Sequence, residues 1–292
     1  MIYMSTLKNI EKSLKAIPKV RVKFIKSAKT SHLLINGDSL ELLKKLPEKS
    51  IDLVITDPPY NQNLNYGKTY NDNKPWEEYY KWYKNWLELI SPLLSDTGSF
   101  YLINYPEINA RVLPYIEDEL HLKLRRWLVW HYPTNIGHSA KNFTRSHRSI
   151  LFFTKGKEYT FNRDAILQPY KNPNVQKIKD KLTEGSNGRA SYDKLSLMDL
   201  LELYNYRTDI LDINLLKNVS KDRLNKKHPC QLPFGLLRTF IKVSSNEGDI
   251  ILDPFAGTFT LSKVAKELNR NSLGIEINPK YINLGVKRLE ND

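Results

Sequence analysis

Seven short apolar runs, many of them rich in β-branched residues, recur along the chain at 32–36, 51–56, 98–103, 126–130, 149–154, 249–252 and 272–277, and each predicts a strand. Between them, apolar positions fall at helical spacing over 39–46, 76–94, 106–119, 234–244, 258–268 and 279–289. In the fifth of these helices, Leu261, Val264, Ala265 and Leu268 share one face. Strands alternating with amphipathic helices indicate an α/β sheet. Segment 76–94 places Trp76, Tyr79, Tyr80, Tyr83, Trp86, Leu87, Ile90 and Leu93 on one stripe. Aromatic rings can stack on bases, but a stripe at this spacing reads as core or subunit interface.

Two tracts break the pattern. Residues 61–74 are polar and Asn-rich, a loop long enough to suggest a lid or clamp. Residues 156–226 show little sheet periodicity, a net positive charge, and scattered Lys, Arg, Asn and Tyr.

A chain of 292 residues with 40% hydrophobic content can hold one large domain, or a domain with a sizeable insert. No stretch approaches the roughly 20 apolar residues of a membrane span. The first 32 residues lack the apolar run of a secretory leader. A single cysteine excludes an internal disulfide framework and fits a reducing, cytoplasmic setting. The net charge of +13 is uneven: residues 1–32 hold Lys8, Lys12, Lys15, Lys19, Arg21, Lys23, Lys26 and Lys29 against Glu11. Such an excess suits a polyanion, through sequence-independent phosphate contacts, although a solvated tail would look the same.

Candidate chemistry sits at strand ends. The run at 51–56 ends in Asp57-Pro58-Pro59-Tyr60. Two prolines fix φ and lack N–H donors, so nearby carbonyls face whatever enters. Tyr60 offers a flat face and Asp57 an acceptor, a combination that suits a nucleobase with an exocyclic amino group. A structural corner would carry the same four letters. Far downstream, the run at 250–252 passes into Asp253-Pro254-Phe255-Ala256-Gly257-Thr258, whose small residues let backbone approach a ligand at a helix start. The acid Glu276, about twenty residues after Gly257, ends the next strand and is placed to accept from ribose hydroxyls. Neither the dinucleotide fingerprint nor the P-loop occurs, and no His/Cys/Asp cluster at ligand spacing suggests a metal.

Together these motifs resemble the amino-methyltransferases of DNA. The order, with Asp-Pro-Pro-Tyr first and Asp-Pro-Phe-Ala-Gly-Thr second, resembles their circularly permuted beta class. The resemblance implies a Rossmann-like, seven-stranded methyltransferase sheet, circularly permuted, with an inserted target-recognition region. It divides the chain into a basic extension (1–30), a catalytic half (31–156), a target-recognition insert (157–226) and a cofactor-binding half (227–292). It makes Asp57, Pro58, Pro59 and Tyr60 catalytic. It assigns S-adenosylmethionine, with no metal, to Asp38, Ser39, Asp57, His228, Gln231, Asp253, Phe255, Ala256, Gly257, Thr258, Glu276 and Ile277. Asp38 and Ser39 belong to Asn36-Gly37-Asp38-Ser39-Leu40, which resembles the segment that meets adenine. His228 and Gln231 belong to a His-Pro-x-Gln segment in which Cys230 fills the variable place. Residues 146–155 resemble the strand that closes the target pocket. One departure is Phe259, since the family usually has a second glycine after the first glycine and a small residue.

The implied activity is methyl transfer to N6 of an adenine flipped out of double-stranded DNA, in a restriction-modification system. A cognate restriction endonuclease and a second copy of the chain are the implied company, and Asp at the motif's first position leans towards adenine. Cytosine-N4 presents the same N–H pair and stays open, as does an inactive, sequence-specific DNA-binding protein.

Overall fold

The computed structural model describes residues 2–64, 70, 72–132, 141–166, 209–213 and 231–290. His228 and most of the expected target-recognition insert lie outside these residues.

The order of elements is α1 (Ile2–Lys15), β1 (Arg21–Lys26), β2 (Ser31–Asn36), α2 (Ser39–Leu42), β3 (Ile51–Thr56), α3 (Trp76–Glu88), α4 (Ile90–Leu93), β4 (Leu94–Asn104), α5 (Pro106–Asp118), β5 (Lys123–His131), β6 (His147–Thr154), β7 (Ile210–Asp212), α6 (Phe234–Ser244), β8 (Ile250–Asp253), α7 (Thr260–Glu267), β9 (Asn271–Glu276) and α8 (Pro279–Glu290). The strands form one sheet in the order β1-β2-β9-β8-β3-β4-β6-β5-β7. From β2 to β4 all pairs are parallel, as buried apolar runs such as Ile250–Asp253 require. β1, β6 and β5 add antiparallel pairs, and β7 pairs parallel with β5.

All seven expected strands are present. Two more flank them. β1 alternates charged Arg21, Lys23 and Lys26 with half-buried Val22 and Phe24, as a solvated edge strand does. β7 lies within the tract where periodicity showed no sheet. The N-terminal segment is likewise more than a charged tail. In α1, Leu7, Ile10 and Leu14 are buried against the sheet, while the eight basic side chains of 1–32 stay exposed. A three-residue recurrence in a Lys-rich stretch was too sparse to outweigh its charge.

Two apolar layers cover the sheet. One joins α1, the 39–46 turn, α3, α4 and α5 to one face, with Tyr79, Tyr83 and Trp86 buried in it. The aromatic stripe of α3 is therefore core along most of its length. On the other face α6 and α7 pack through Leu236, Leu237, Phe240, Leu261 and Val264. The sheet thus presents one long edge, where β2, β8, β9, β3 and β4 end. β6 begins there, because it runs antiparallel. From the centre, β3 leads on to β4 in one direction and β8 to β9 in the other. A crevice opens where that order reverses, outside the carboxyl ends of β3 and β8.

Candidate active site

Asp57 follows β3 and Asp253 ends β8, so the two motifs meet at this reversal although they are far apart in sequence. The Thr56 hydroxyl donates to Asp253 Oδ1 at 3.0 Å, and the Phe255 N–H donates to the same oxygen at 3.0 Å. Glu276, at the end of β9, accepts from the Gly257 N–H through Oε2 (2.9 Å) and from the Asn278 N–H through Oε1 (2.7 Å). The glycine turn and the acid are thereby locked together, which the spacing alone could not show.

A cavity joins these groups. Its walls include Asp57, Asp253, Gly257, Glu276, Ile277 and Gln231. Asp38, Ser39, Phe255, Ala256 and Thr258 line it as well, so every expected cofactor residue among those described reaches one space. Several side chains are already engaged. Asp38 caps α2 by accepting from the Leu40 N–H at 2.8 Å, and the Ser39 hydroxyl donates to the Pro254 carbonyl. Gln231 Oε1 accepts from buried Arg288 of α8 at 3.0 Å.

Burial acts on three neighbouring carboxyls. It pushes Asp57 up to about 7, against the lowering effects of the Tyr60 hydroxyl and the Arg148 charge. It raises Asp253 to about 7, against hydrogen bonds from Phe255 and Thr56 and helped by Asp57. Glu276 is driven up to about 8 by burial, opposed by the Asn278 and Gly257 amides and reinforced by Asp253. Three poorly solvated acids around one space favour a ligand that brings positive charge.

The Asp-Pro-Pro-Tyr turn is arranged differently from the open stacking platform expected of it. Tyr60 is 1% exposed and donates its hydroxyl to Asp57 Oδ1. Its ring lies 5.0 Å from that of Tyr105, which follows β4, and 4.7 Å from the Arg148 guanidinium at the start of β6. The Pro59 carbonyl accepts from the Tyr79 hydroxyl at 2.8 Å. Beyond the turn, the buried Asp72 carboxylate accepts from the N–H groups of Asn61 (2.9 Å), Gln62 (3.1 Å) and Leu64 (2.9 Å). Both ends of the Asn-rich loop are thus tied to the catalytic turn.

Phe259 explains the departure from the usual glycine. Its φ of 58° is left-handed, the conformation that glycine takes without strain. Its ring is fully buried beneath α8, beside Leu34 and Ile282 and away from the cavity lining. The space exists because Gly274 and Gly285 face it: a Cβ on Gly274 would come within 2.7 Å of the ring, and one on Gly285 within 2.7 Å of its Cγ.

The sequence reading missed Tyr70, Trp82, Tyr281 and Arg288. Tyr70, Trp82 and Tyr281 line the cavity, with Trp82 5.5 Å from Phe255, ring to ring. They sit on helices or in a loop, where nothing marks a side chain as facing a ligand. Among the described residues, no group of three His, Cys, Asp or Glu could hold a metal, and no helix is long and apolar enough to cross a membrane.

The chain is similar in sequence and in fold to known proteins. Residues 51–287 match the N6/N4 family described as DNA methylase. The Type II methyltransferase M.HpaI of Haemophilus parainfluenzae is 34% identical over 260 residues, covering 89% of this chain and 74% of the relative. The DNA adenine methyltransferase YhdJ of Escherichia coli (strain K12) is 34% identical over 278 residues, covering 92% and 85%. Among solved structures, the PvuII DNA methyltransferase (cytosine-N4-specific) superposes with a TM-score of 0.66 at 21% identity, covering 89% of this chain and 87% of that one. The M1.HpyAVI–SAM complex does so with a TM-score of 0.58 at 19% identity, covering 88% and 98%.

Proposed function

Because the chain belongs to the N6/N4 DNA methylase family, we propose that it transfers a methyl group from S-adenosylmethionine to the N6 amino group of an adenine extruded from double-stranded DNA. We assign it to the modification arm of a restriction-modification system. The observation that carries the reading is the meeting of Asp57, Asp253 and Glu276 in one cavity, each carboxyl raised by burial.

These residues fit the cofactor. Glu276 is tied to the Gly257 amide and faces a space that exposed Ile277 shares, which suits a ribose and an adenine ring. Asp253 and Asp57 complement the positive charges of the ammonium and sulfonium. When bound, the sulfonium supplies an electrophilic methyl with a good leaving group, so positioning provides much of the remaining rate.

The target amine is a weak nucleophile, because its lone pair is delocalised into the ring. Tyr60 occupies Asp57 Oδ1, so Oδ2 is the oxygen assigned to one amine N–H, and the Pro58 carbonyl takes the other. Both acceptors favour a tetrahedral nitrogen with its lone pair towards the methyl. With the cofactor bound, that nitrogen would be placed to take the methyl as the S–C bond broke and the thioether left, and the part of Asp57 and Pro58 is to hold it in line. The extra proton passes from nitrogen to Asp57, whose carboxyl near 7 can take and release it at neutral pH. Extruding the base costs a few kcal/mol of unstacking.

Adenine is supported by Asp at the motif's first position and by the relative described as a DNA adenine methyltransferase. The cytosine-N4-specific structural neighbour keeps cytosine as the second reading. Incubating the protein with unmethylated A·T-rich plasmid and S-adenosylmethionine, then digesting to nucleosides for mass spectrometry, separates them. N6-methyladenine is expected. N4-methylcytosine would overturn the choice of base, and no methylated base despite cofactor binding would overturn the substrate.

A further inference from the structure

Asp57 lines the cofactor cavity, and through the Tyr60 hydroxyl it also meets the side of the sheet edge where β4 ends and β6 begins. On that side stands a cluster the mechanism has not used. The Arg148 guanidinium carbon is 4.0 Å from the centre of the Tyr105 ring, 4.7 Å from Tyr60 and 5.8 Å from Tyr132. Arg145 covers Tyr105 as well, at 3.9 Å. Arg148 Nη1 donates to the Tyr132 hydroxyl at 3.0 Å. Its Nε–H is buried and, among the described residues, meets no acceptor. Arginine is a rigid fork of donors, and a buried donor without an acceptor is costly unless a ligand supplies one.

Tyr60 links this fork to the chemistry, because its hydroxyl holds Asp57 while its ring lies beside Arg148. A base whose amino group reaches Asp57 therefore brings its neighbouring ring atoms towards the guanidinium. In adenine the amino group has a ring acceptor on either side, N1 bonded to the amino carbon and N7 one atom further, across C5; in cytosine one such acceptor, N3, adjoins the amino carbon.

We propose that Arg148 reads the extruded base, its Nε–H donating to a ring nitrogen beside the amino group while the guanidinium stays stacked on Tyr105. Such a bond draws electron density from the ring, so it does not activate the amine. It fixes the plane and the rotation of the base, and it rejects bases that lack an acceptor there. The stacked, planar fork is the requirement, and a lysine ammonium does not supply it. This inference rests on the reading of the protein as a base-extruding amino-methyltransferase.

The test uses the mapped site in synthetic duplexes with adenine, 7-deazaadenine or 1-deazaadenine at the target, each keeping the amino group. If the mapped product is N4-methylcytosine, cytosine and 3-deazacytosine take their place, so an error in the base is not mistaken for an error about Arg148. Wild type is expected to transfer to one analogue at least about tenfold more slowly than to the natural base. In Arg148→Gln that difference should vanish, kcat/KM on the natural base should fall about ten- to a hundredfold, and cofactor affinity should stay within about twofold. Arg148→Lys, which keeps the charge near Asp57, should not restore the rate. Full activity in Arg148→Lys would overturn the proposal in favour of a purely electrostatic role. Wild-type discrimination in Arg148→Gln, or a salt-dependent loss equal on all bases, would overturn it in favour of a phosphate contact. Loss of cofactor affinity together with activity would show a structural role instead.

Discussion

Gly285 lies inside α8, where alanine normally gains about 1 kcal/mol of helix propensity. Here the added Cβ would come within 2.7 Å of Phe259 Cγ and 2.9 Å of Leu34 Cδ2. Overpacking of this kind costs about 1–3 kcal/mol, so Gly285→Ala should be destabilising despite the propensity gain. Phe259→Gly removes a fully buried ring, worth about 3–5 kcal/mol, and recovers about 1–2 kcal/mol by relieving a left-handed backbone. Its net loss should be about 1–4 kcal/mol. In the double variant the clash with the ring is gone and the methyl fills part of the space it left. The second substitution should then be neutral or stabilising, which gives a coupling of about 1–3 kcal/mol. Urea unfolding of the four proteins, followed by fluorescence, measures the cycle. Since Phe259 adjoins the turn whose Gly257 amide meets Glu276, Gly285→Ala should also weaken S-adenosylmethionine binding, and the double variant should recover part of it. Effects that add within about 0.5 kcal/mol would refute the account of Phe259 as the occupant of a space made by two glycines.

Cofactor binding should strengthen from pH 6 to about 8 and then level off. The carboxyls of Asp57, Asp253 and Glu276 are raised in the folded protein, and a cationic ligand favours their ionised forms. Each group that ionises on binding releases a proton and adds up to about tenfold in affinity per pH unit; proton uptake in calorimetry would contradict this. The same shifts make the ligand-free fold lose stability as pH rises from the ordinary carboxylate range through about 8, which melting curves at pH 5 and 8.5 would show. Asp57→Asn should lower kcat by at least about 10²-fold while cofactor binding weakens but stays measurable; near-normal turnover would sink the amine-orienting role. Ile10→Ala in α1 should cost about 2–5 kcal/mol, whereas an unchanged unfolding midpoint would mean that α1 is dispensable to the core.

The order of strands and helices was written locally, in runs such as Ile51–Thr56 and Ile250–Asp253 whose residues suit burial in any context. The two motifs and the acid at Glu276 were equally legible, because proline, glycine and carboxylate at a strand end impose geometry on their immediate neighbours. What joins them is not local. That Asp57 and Asp253 face one cavity depends on β3 and β8 being adjacent, a pairing between segments about two hundred residues apart. Trp82 gained its place only when α3 docked, since an aromatic residue on a helix carries no mark of its destination. The resemblance pointed to the strand that holds Arg148, but the stacking of its guanidinium on Tyr105 and Tyr60 came only with the docking of β6. The basic N-terminal segment concealed α1, because charge dominates its composition while three apolar residues hold it to the sheet. Phe259 makes the same point at one residue. The sequence showed only that a glycine was missing. The tertiary fold decided where the ring could go, because Gly274 and Gly285, from a strand and a helix that follow it, leave the room.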